Sequence, residues 1–470
     1  MTSRPRTLAA AEPGLYREVI LLAYPVVLSS LANTVMSLTD TLFMGRVSTA
    51  ALGGVGLGAI TAWTCASLFI GALTVINTFV AQHFGAGEHR RCGPVAWQGL
   101  LLTVAFSAVL LPLAGQVSRL VLFFGAPAAV GEAAMSYAFI RVVGVPVMMA
   151  DACVTSFLRG IGDTRTPMKI SLLTMIVNVP LDYWLVFGGL GVPALGARGA
   201  AYATVTSQAV GVVLLLRVFL RRSMRRRFAT GLPRRWRWSE LLPLLKVGLP
   251  IGVSWSLEMV TWTLFTGFVS TLGQEPLAAH NIVLQVLHVS FMPGLALSAA
   301  ATTLVGQRLG AADPEGAARC GHATVKLGMA YMGLMGLAFL VLGGPIAAGF
   351  SHDPQVIAIA RHLFVLAAAF QLFDAIGMVS SGILRGAGDT RWPMLILVGL
   401  AWTIFLPLSW LFGRRLGWGV VGSWVGATVY IVVLGLAMLR RVLAGRWKSC
   451  SVLESETAGG AKQAEPLTLP

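Results

Sequence analysis

Charge is what this sequence has least of. Only 11% of its 470 residues are charged, against 56% hydrophobic, where a soluble protein carries about 25% charged residues. A soluble core does not absorb that much apolar sequence, so lipid is the expected solvent and a soluble enzyme is excluded. Cysteine is scarce too: the five cysteines show neither metal-ligand spacing nor a disulfide framework. Cys65 and Cys153 fall in apolar runs, and Cys92, Cys320 and Cys450 fall on an arginine-rich loop side. Met1–Gly14 carries Arg4 and Arg6 but no apolar stretch long enough for a cleavable signal. The apolar segments hold no metal-binding His motif and no Ser/His pair. The chain is therefore not expected to be an enzyme or to need a cofactor, and His280 and His288 are expected to hydrogen-bond their neighbours.

Long apolar runs are what the chain has in abundance. A spanning helix needs about 20 mostly apolar residues. Gly, Pro and Arg breaks divide the sequence into twelve such helices: 15–45, 52–83, 94–115, 128–158, 167–188, 196–220, 241–271, 277–307, 320–343, 354–384, 393–412 and 419–443. The fold class is an all-α integral membrane protein of twelve transmembrane helices. The expected segments are a cytoplasmic tail 1–14, an amino lobe 15–220, a basic cytoplasmic linker 221–240, a carboxy lobe 241–443 and a disordered tail 444–470.

The net charge of +16 does not point to nucleic acid, because it is placed by topology. Arg217, Arg221, Arg222, Arg225, Arg226, Arg227, Arg234, Arg235 and Arg237 cluster between the two apolar halves. With twelve crossings, all but seven of the 35 Lys and Arg (Arg46, Arg119, Arg141, Arg198, Arg361, Arg414 and Arg415) fall on the side of the termini. The positive-inside rule then puts both termini in the cytoplasm, with the cell (inner) membrane as the expected location and membrane lipids as partners of the basic linker.

An internal repeat sets the architecture. LRGIGDTRTPM (Leu158–Met168) recurs as LRGAGDTRWPM (Leu384–Met394), with nine of eleven positions identical. Val80-Ala-Gln-His-Phe-Gly-Ala86 aligns with Val305-Gly-Gln-Arg-Leu-Gly-Ala311, and Pro25 with Pro250. One common spacing, to within a single position, serves all three, so each half holds six helices. An even number leaves the two lobes in the same orientation, pseudo-symmetric about an axis along the membrane normal, which is a transporter build. In the repeated loop Gly160 and Gly162 permit a turn, Asp163 and Thr164 can cap the next helix, and Arg159 and Arg165 are expected at the cytoplasmic surface. The first reading is a structural turn; a gate contact is the sharper alternative.

Ionisable residues inside a spanning helix are functional hypotheses. Asp40, Asp151, Asp182, Glu258 and Asp374 qualify, with no matching set of mid-helix Lys or Arg, so the interior is expected to be acidic and suited to protons, metal cations or organic cations. Asn33 and Asp40 share a helix face, as do Asn178 and Asp182. With Thr204 they offer carboxylate, amide and hydroxyl oxygens, a hard-cation ligand set. Glu258 has Trp255 three residues before it and Trp262 four after, an arrangement that can hold an organic cation by charge and cation–π attraction. Asp374 follows Phe370 and Gln371 by one turn. Asp151 is expected to pair with Arg159 two turns on.

At these residues the chain resembles the multidrug and toxic compound extrusion (MATE) family, especially its bacterial NorM-like branch, over roughly residues 15–445. The resemblance rests on Leu38-Thr-Asp40-Thr-Leu-Phe-Met-Gly45, both LRGxGDTR loops, Asn178-Val-Pro-Leu-Asp182, Leu277-Ala-Ala-His-Asn281, and Gly248-Leu-Pro250 leading to Glu258. It implies two six-helix lobes around a central cavity and efflux of cationic, often aromatic, small molecules in exchange for sodium or protons by alternating access. It implies an amino-lobe cation site, sodium included, at Asp40, Asn178, Asp182 and Thr204. In the carboxy lobe it implies a cation or substrate site at Glu258 and Asp374 with Trp255, Trp262, Phe370 and Gln371. Phe370 stands where some relatives have Tyr, and Asp182 where some have Asn. A monomer is expected. A lipid-linked oligosaccharide or lipid flippase of the same superfamily is the alternative function, and the acidic helices argue against it.

Overall fold

A computed structural model of the chain describes residues 13–116, 127–189, 191–231, 236–450 and 452. Arg4, Arg6, Arg119, Arg234, Arg235 and the tail 453–470 lie outside the described residues. The elements are α1 (Pro13–Val47), α2 (Thr49–Gly85), α3 (His89–Gln116), α4 (Ala128–Val143 and Val145–Gly160), α5 (Arg165–Phe187) and α6 (Ala197–Phe219). They continue as α7 (Trp238–Ser270), α8 (Gln274–Gly310), α9 (Pro314–Phe350), α10 (Pro354–Ala387), α11 (Arg391–Arg415) and α12 (Gly419–Leu443). Eleven are long and apolar enough to cross a membrane outright, and α4, bent by 45°, makes the twelfth. Helices are imposed by the solvent: lipid offers nothing to backbone N–H and C=O groups, so each segment satisfies its own. The 37-residue helices α2, α8 and α9 are about 55 Å long, more than a bilayer core needs, and accommodate by tilting or projecting.

Two departures from straight helix have local causes. The bend in α4 sits at Gly144, followed by Pro146, whose ring and missing N–H break the ladder. In α11 the turns Ala401–Phe405 and Leu411–Arg415 widen to π-helix on either side of Pro407.

Within the first six helices α2 packs on α4, α4 on α6, and α5 on both α6 and α1. Within the last six α10 packs on α8, α9 and α12, and α7 on α11. The halves meet through α2 with α7 and α8, and α1 with α8. Each half lends the start of its first helix to the other's core. Val19, Ala23 and Val26 of α1 pack with Ala296, Ala300 and Leu304 of α8, while Leu241, Leu244 and Ile251 of α7 pack with the cluster around Ile76 and Phe79.

The seam between the halves obeys a two-fold relation. A Cβ on Gly85 would strike the Gln307 backbone oxygen, and one on Gly310, the repeat-related glycine, would strike that of Gln82. Gln307 Nε2 donates to Gly160 O at 2.8 Å and Gln82 Nε2 to Gly386 O at 3.0 Å. Thr303 donates to Asn77 Oδ1 at 3.1 Å, across the seam. Both LRGxGDTR loops therefore lie at one end of the molecule and touch the opposite half.

The structure departs from the expected segments at three places. The 221–240 linker holds a short helix, Arg222–Phe228, pinned by Phe228 against Phe84 and Phe157, and α7 starts at Trp238 rather than 241. The stretch after α12 was expected to be disordered, yet Trp447 is fully buried and donates to Val442 O, Lys448 pairs with Glu315 at 2.9 Å, and the Val452 N–H reaches Gln82 Oε1 at 3.0 Å. Apolar burial of an indole outweighs the local polarity that suggested disorder. Finally, Arg159 is turned inward, its Nε buried, instead of lying at the surface, and it interacts electrostatically with Asp151 without forming the expected direct ion pair, while Arg165 is exposed.

Candidate functional site

Small residues bring the amino-half site together. Gly199 lies so close to the Leu185 backbone that a Cβ would strike its carbonyl oxygen, so α6 presses on α5, and Thr204 of α6 meets Asp40. A Cβ on Gly58 would sit 3.0 Å from the Tyr137 ring, so α4 presses on α2 and carries Tyr137 under α1. Asp40 is at the centre. Its Oδ2 lies 3.3 Å from Thr204 Oγ1 and 3.4 Å from the Tyr137 hydroxyl. Thr204 Oγ1 also lies 2.9 Å from Ala200 O, the nearer acceptor for its single proton.

The Asp40 and Asp182 carboxyls and the Asn178 amide lie against one another. Asp182 and Asn178 are fully buried and Asp40 is 5% exposed. Yet Asp40 Oδ1, both Asp182 oxygens and the Asn178 amide atoms make no well-formed hydrogen bond. Two buried carboxyls side by side repel unless a proton or a cation sits between them. The donor set is oxygen from carboxylate, amide and hydroxyl, which fits a proton or a hard cation. Asn33, expected on the same face as Asp40, is exposed. The sequence pattern missed two neighbours. Tyr137 gave no signal, and Arg141, which interacts electrostatically with both aspartates and lies 3.3 Å from Gln208 Oε1, was read as a loop-side exception although it falls inside the 128–158 run.

The carboxy half holds a cavity of about 150 Å³ lined by Trp255, Glu258, Leu295, Asp374, Met378 and Arg385, with the hydroxyls of Ser254, Ser298, Ser381 and Thr390. Glu258 and Asp374 of the expected pair share it, and Trp255 forms part of its wall. The other three expected residues sit elsewhere. Trp262 packs on Phe265 and Phe405, Phe370 is buried and stacks on Trp424, and Gln371 donates to Ser290 at 2.9 Å. Trp255 and Trp262 stand nearly two turns apart, and over that length α7 passes from the cavity wall into the core formed with α11 and α12. Arg385 makes the cavity mixed in charge, against the expectation of a purely acidic interior. His280 is hydrogen-bonded, as expected: Trp424 Nε1 donates to its Nδ1 at 3.1 Å, which leaves Nε2–H for Thr266 at 3.0 Å.

The MatE family profile matches this chain twice, over residues 25–184 and 250–411. The two matches begin at the repeat-related prolines Pro25 and Pro250 and together cover more than half of the chain. The chain belongs to the MATE family. It is a multi-pass membrane transporter and not an enzyme. It is 31% identical to the probable multidrug resistance protein NorM of Thermotoga maritima (strain ATCC 43589 / DSM 3109 / JCM 10099 / NBRC 100826 / MSB8), over 94% of this chain and 96% of that one. It is 33% identical to the probable NorM of Burkholderia pseudomallei (strain K96243), with the same coverage. Among solved structures, a MATE transporter in the bent conformation superposes with a TM-score of 0.83 at 20% identity, over 96% of this chain and 100% of that one. An outward-facing multidrug resistance MATE transporter gives 0.84 at 19%, over 93% and 100%. Both MATE folds match the twelve-helix arrangement described above.

Proposed function

We propose that this MATE chain is a multidrug efflux antiporter that exports cationic amphiphilic and aromatic compounds in exchange for sodium or protons. The observation that carries the reading is the buried cluster of Asp40, Asp182, Asn178 and Thr204, whose oxygens crowd together without enough donors. A charged side chain at the centre of a spanning helix costs about 3 kcal/mol, and two in one pocket call for a bound cation or proton. That cation acts on transport by binding one access state better than the other, since a ligand shifts a conformational equilibrium only by differential affinity. The carboxy-half cavity, with Glu258 and Asp374 beside the Trp255 ring, supplies charge and an aromatic wall for an organic cation. Relatives named as multidrug resistance proteins support this export.

By the positive-inside rule both termini and the arginine-rich loops are cytoplasmic. The seam through Gln82 and Gln307 is then a closed cytoplasmic gate, and the state is outward-facing. Domain assignment follows the repeat: the amino lobe supplies the coupling site and the carboxy lobe the cargo cavity.

The test is ethidium efflux from proteoliposomes driven by a sodium gradient alone and then by a proton gradient alone. Asp40→Asn and Asp182→Asn should each abolish gradient-driven efflux, by at least tenfold in initial rate, without loss of protein from the membrane. Normal efflux in both variants moves the coupling site to Glu258 and Asp374.

A further inference from the structure

The basic residues turned into the lobes are not used by this reading. Arg385 is the first arginine of the second LRGxGDTR loop, and it does not point to the surface. Its guanidinium lines the cavity that holds Glu258 and Asp374, anchored by Nη2 to Ser298 Oγ at 3.3 Å and by Nε to Ser381 O at 3.2 Å. Ser298 is itself fixed, donating to Met378 O at 2.7 Å. Arg385 and Glu258 interact through the cavity but form no direct ion pair, so the carboxylate keeps a free face. The backbone of Arg385 belongs to the seam: its carbonyl accepts from Thr78 of the other half at 2.9 Å, and the next carbonyl, Gly386, accepts from Gln82. The repeat makes the same choice twice, since Arg159, the equivalent arginine of the first loop, is also turned inward and faces Asp151.

We propose that Arg385 is a tethered counter-cation of the carboxy-half cavity, competing with cargo for Glu258 and so setting how tightly an organic cation is held. The inference rests on the cation-export reading given above. With the cavity empty, Arg385 offsets the carboxylates, so the lobe does not carry an uncompensated buried charge. When an organic cation enters, two positive charges face Glu258, and their repulsion weakens the hold on cargo. That weakening matters for an exporter, which must release what it binds. Arg385 also spans from cavity to seam, with its side chain in the one and its carbonyl in the other. It is a specificity-determining residue, because an uncharged cargo of the same shape meets no such repulsion.

The experiment measures ethidium binding by fluorescence anisotropy to the purified full chain in nanodiscs, with each variant first shown to elute as the wild type does. Arg385→Gln and Arg385→Met, two neutral variants of different shape, should each tighten ethidium binding by about tenfold, equivalent to about 1.4 kcal/mol. Arg385→Lys, which keeps the charge, should bind within about twofold of wild type. Glu258→Gln should weaken binding, and adding Arg385→Gln to it should then tighten binding by less than Arg385→Gln does alone, because the carboxylate for which they compete is gone. Unchanged or weaker binding in both neutral variants overturns the proposal, as does Arg385→Lys behaving like Arg385→Gln. Unchanged binding in Glu258→Gln overturns the cation-site reading instead, so the two failures are told apart.

Discussion

Tyr137 shows what a single side chain contributes to the amino-half site. Its hydroxyl donates to Asp40 Oδ2 at 3.4 Å from a ring held against Gly58. A donor to a carboxylate stabilises the ion-free state, because it stands in for part of the cation's charge. Tyr137→Phe removes that donor and keeps the ring. A net hydrogen bond is worth about 1 kcal/mol, roughly a fivefold change in an equilibrium. The coupling ion should then be held more tightly, with the half-saturating ion concentration for efflux falling about fivefold and turnover slowing. Initial efflux rates measured against coupling-ion concentration test this, and an unchanged half-saturation point removes Tyr137 from the site. Asp40, Asn178, Asp182 and Thr204 could be read from the sequence because a polar group in an apolar run declares itself. Tyr137 could not, since a tyrosine in a spanning helix has many ordinary places to sit and no spacing rule sets α4 beside α1. Trp262 failed the other way. Sharing a helix face with Glu258 was a sound local argument, but which part of that face meets the cavity depends on how α7 crosses α11.

At the scale of elements, the stretch after α12 shows how far a local reading reaches. Residues 446–450 carry Arg446, Lys448 and Ser449, but Trp447 is fully buried in the core that α1 shares with α8, α9 and α12. Val452 packs into the amino-half cluster, and its N–H bonds Gln82 at the seam. The stretch therefore ties one half to the other at the closed end. Phe or Trp to Ala in a packed core costs about 3–5 kcal/mol. Trp447→Ala should lower the melting temperature of the purified protein by several degrees, and cutting the chain after Gly445 should lower it at least as much. Melting followed by tryptophan fluorescence in detergent measures both, and unchanged melting in both would show the segment to be an ornament of the closed state. The helices themselves were legible because lipid leaves the backbone no alternative, and their expected ends fall within a few residues at most boundaries. The linker helix Arg222–Phe228 was not, because its order comes from Phe228 docking on Phe84 and Phe157, a tertiary contact that a run of arginines does not announce.

At the scale of the whole molecule, the repeat supplies a symmetric gate around asymmetric chemistry. Equivalent positions close the seam on both sides of the axis. Yet by the spacing that relates Pro25 to Pro250, the counterpart of Asp40 is Phe265, and the counterpart of Glu258 is Asn33. The backbone has been kept in duplicate where the halves move against each other, while the polar side chains have diverged where each half binds. Alternating access then requires the seam to part in every cycle, and the seam offers a direct handle. Asn77 and Thr303, on opposite sides of the seam, touch at 3.1 Å through their side-chain tips. Cysteines at both positions, in a background with Cys65, Cys92, Cys153, Cys320 and Cys450 replaced by Ala, put two thiols across the seam where the native side chains touch, and oxidation tests whether they bridge. The oxidised Asn77→Cys/Thr303→Cys protein should lose ethidium efflux by at least tenfold, recover it on reduction, and still bind ethidium from the open side, because the lock holds one access state without touching either carboxylate cluster. Each single cysteine variant should transport normally under the same oxidant. If the cross-linked protein, with bridging verified by gel mobility, exports dye at the unlinked rate, the Gln82–Gln307 seam does not open during transport, and the gate has to be sought in the bend of α4 or the π-helical turns of α11 instead.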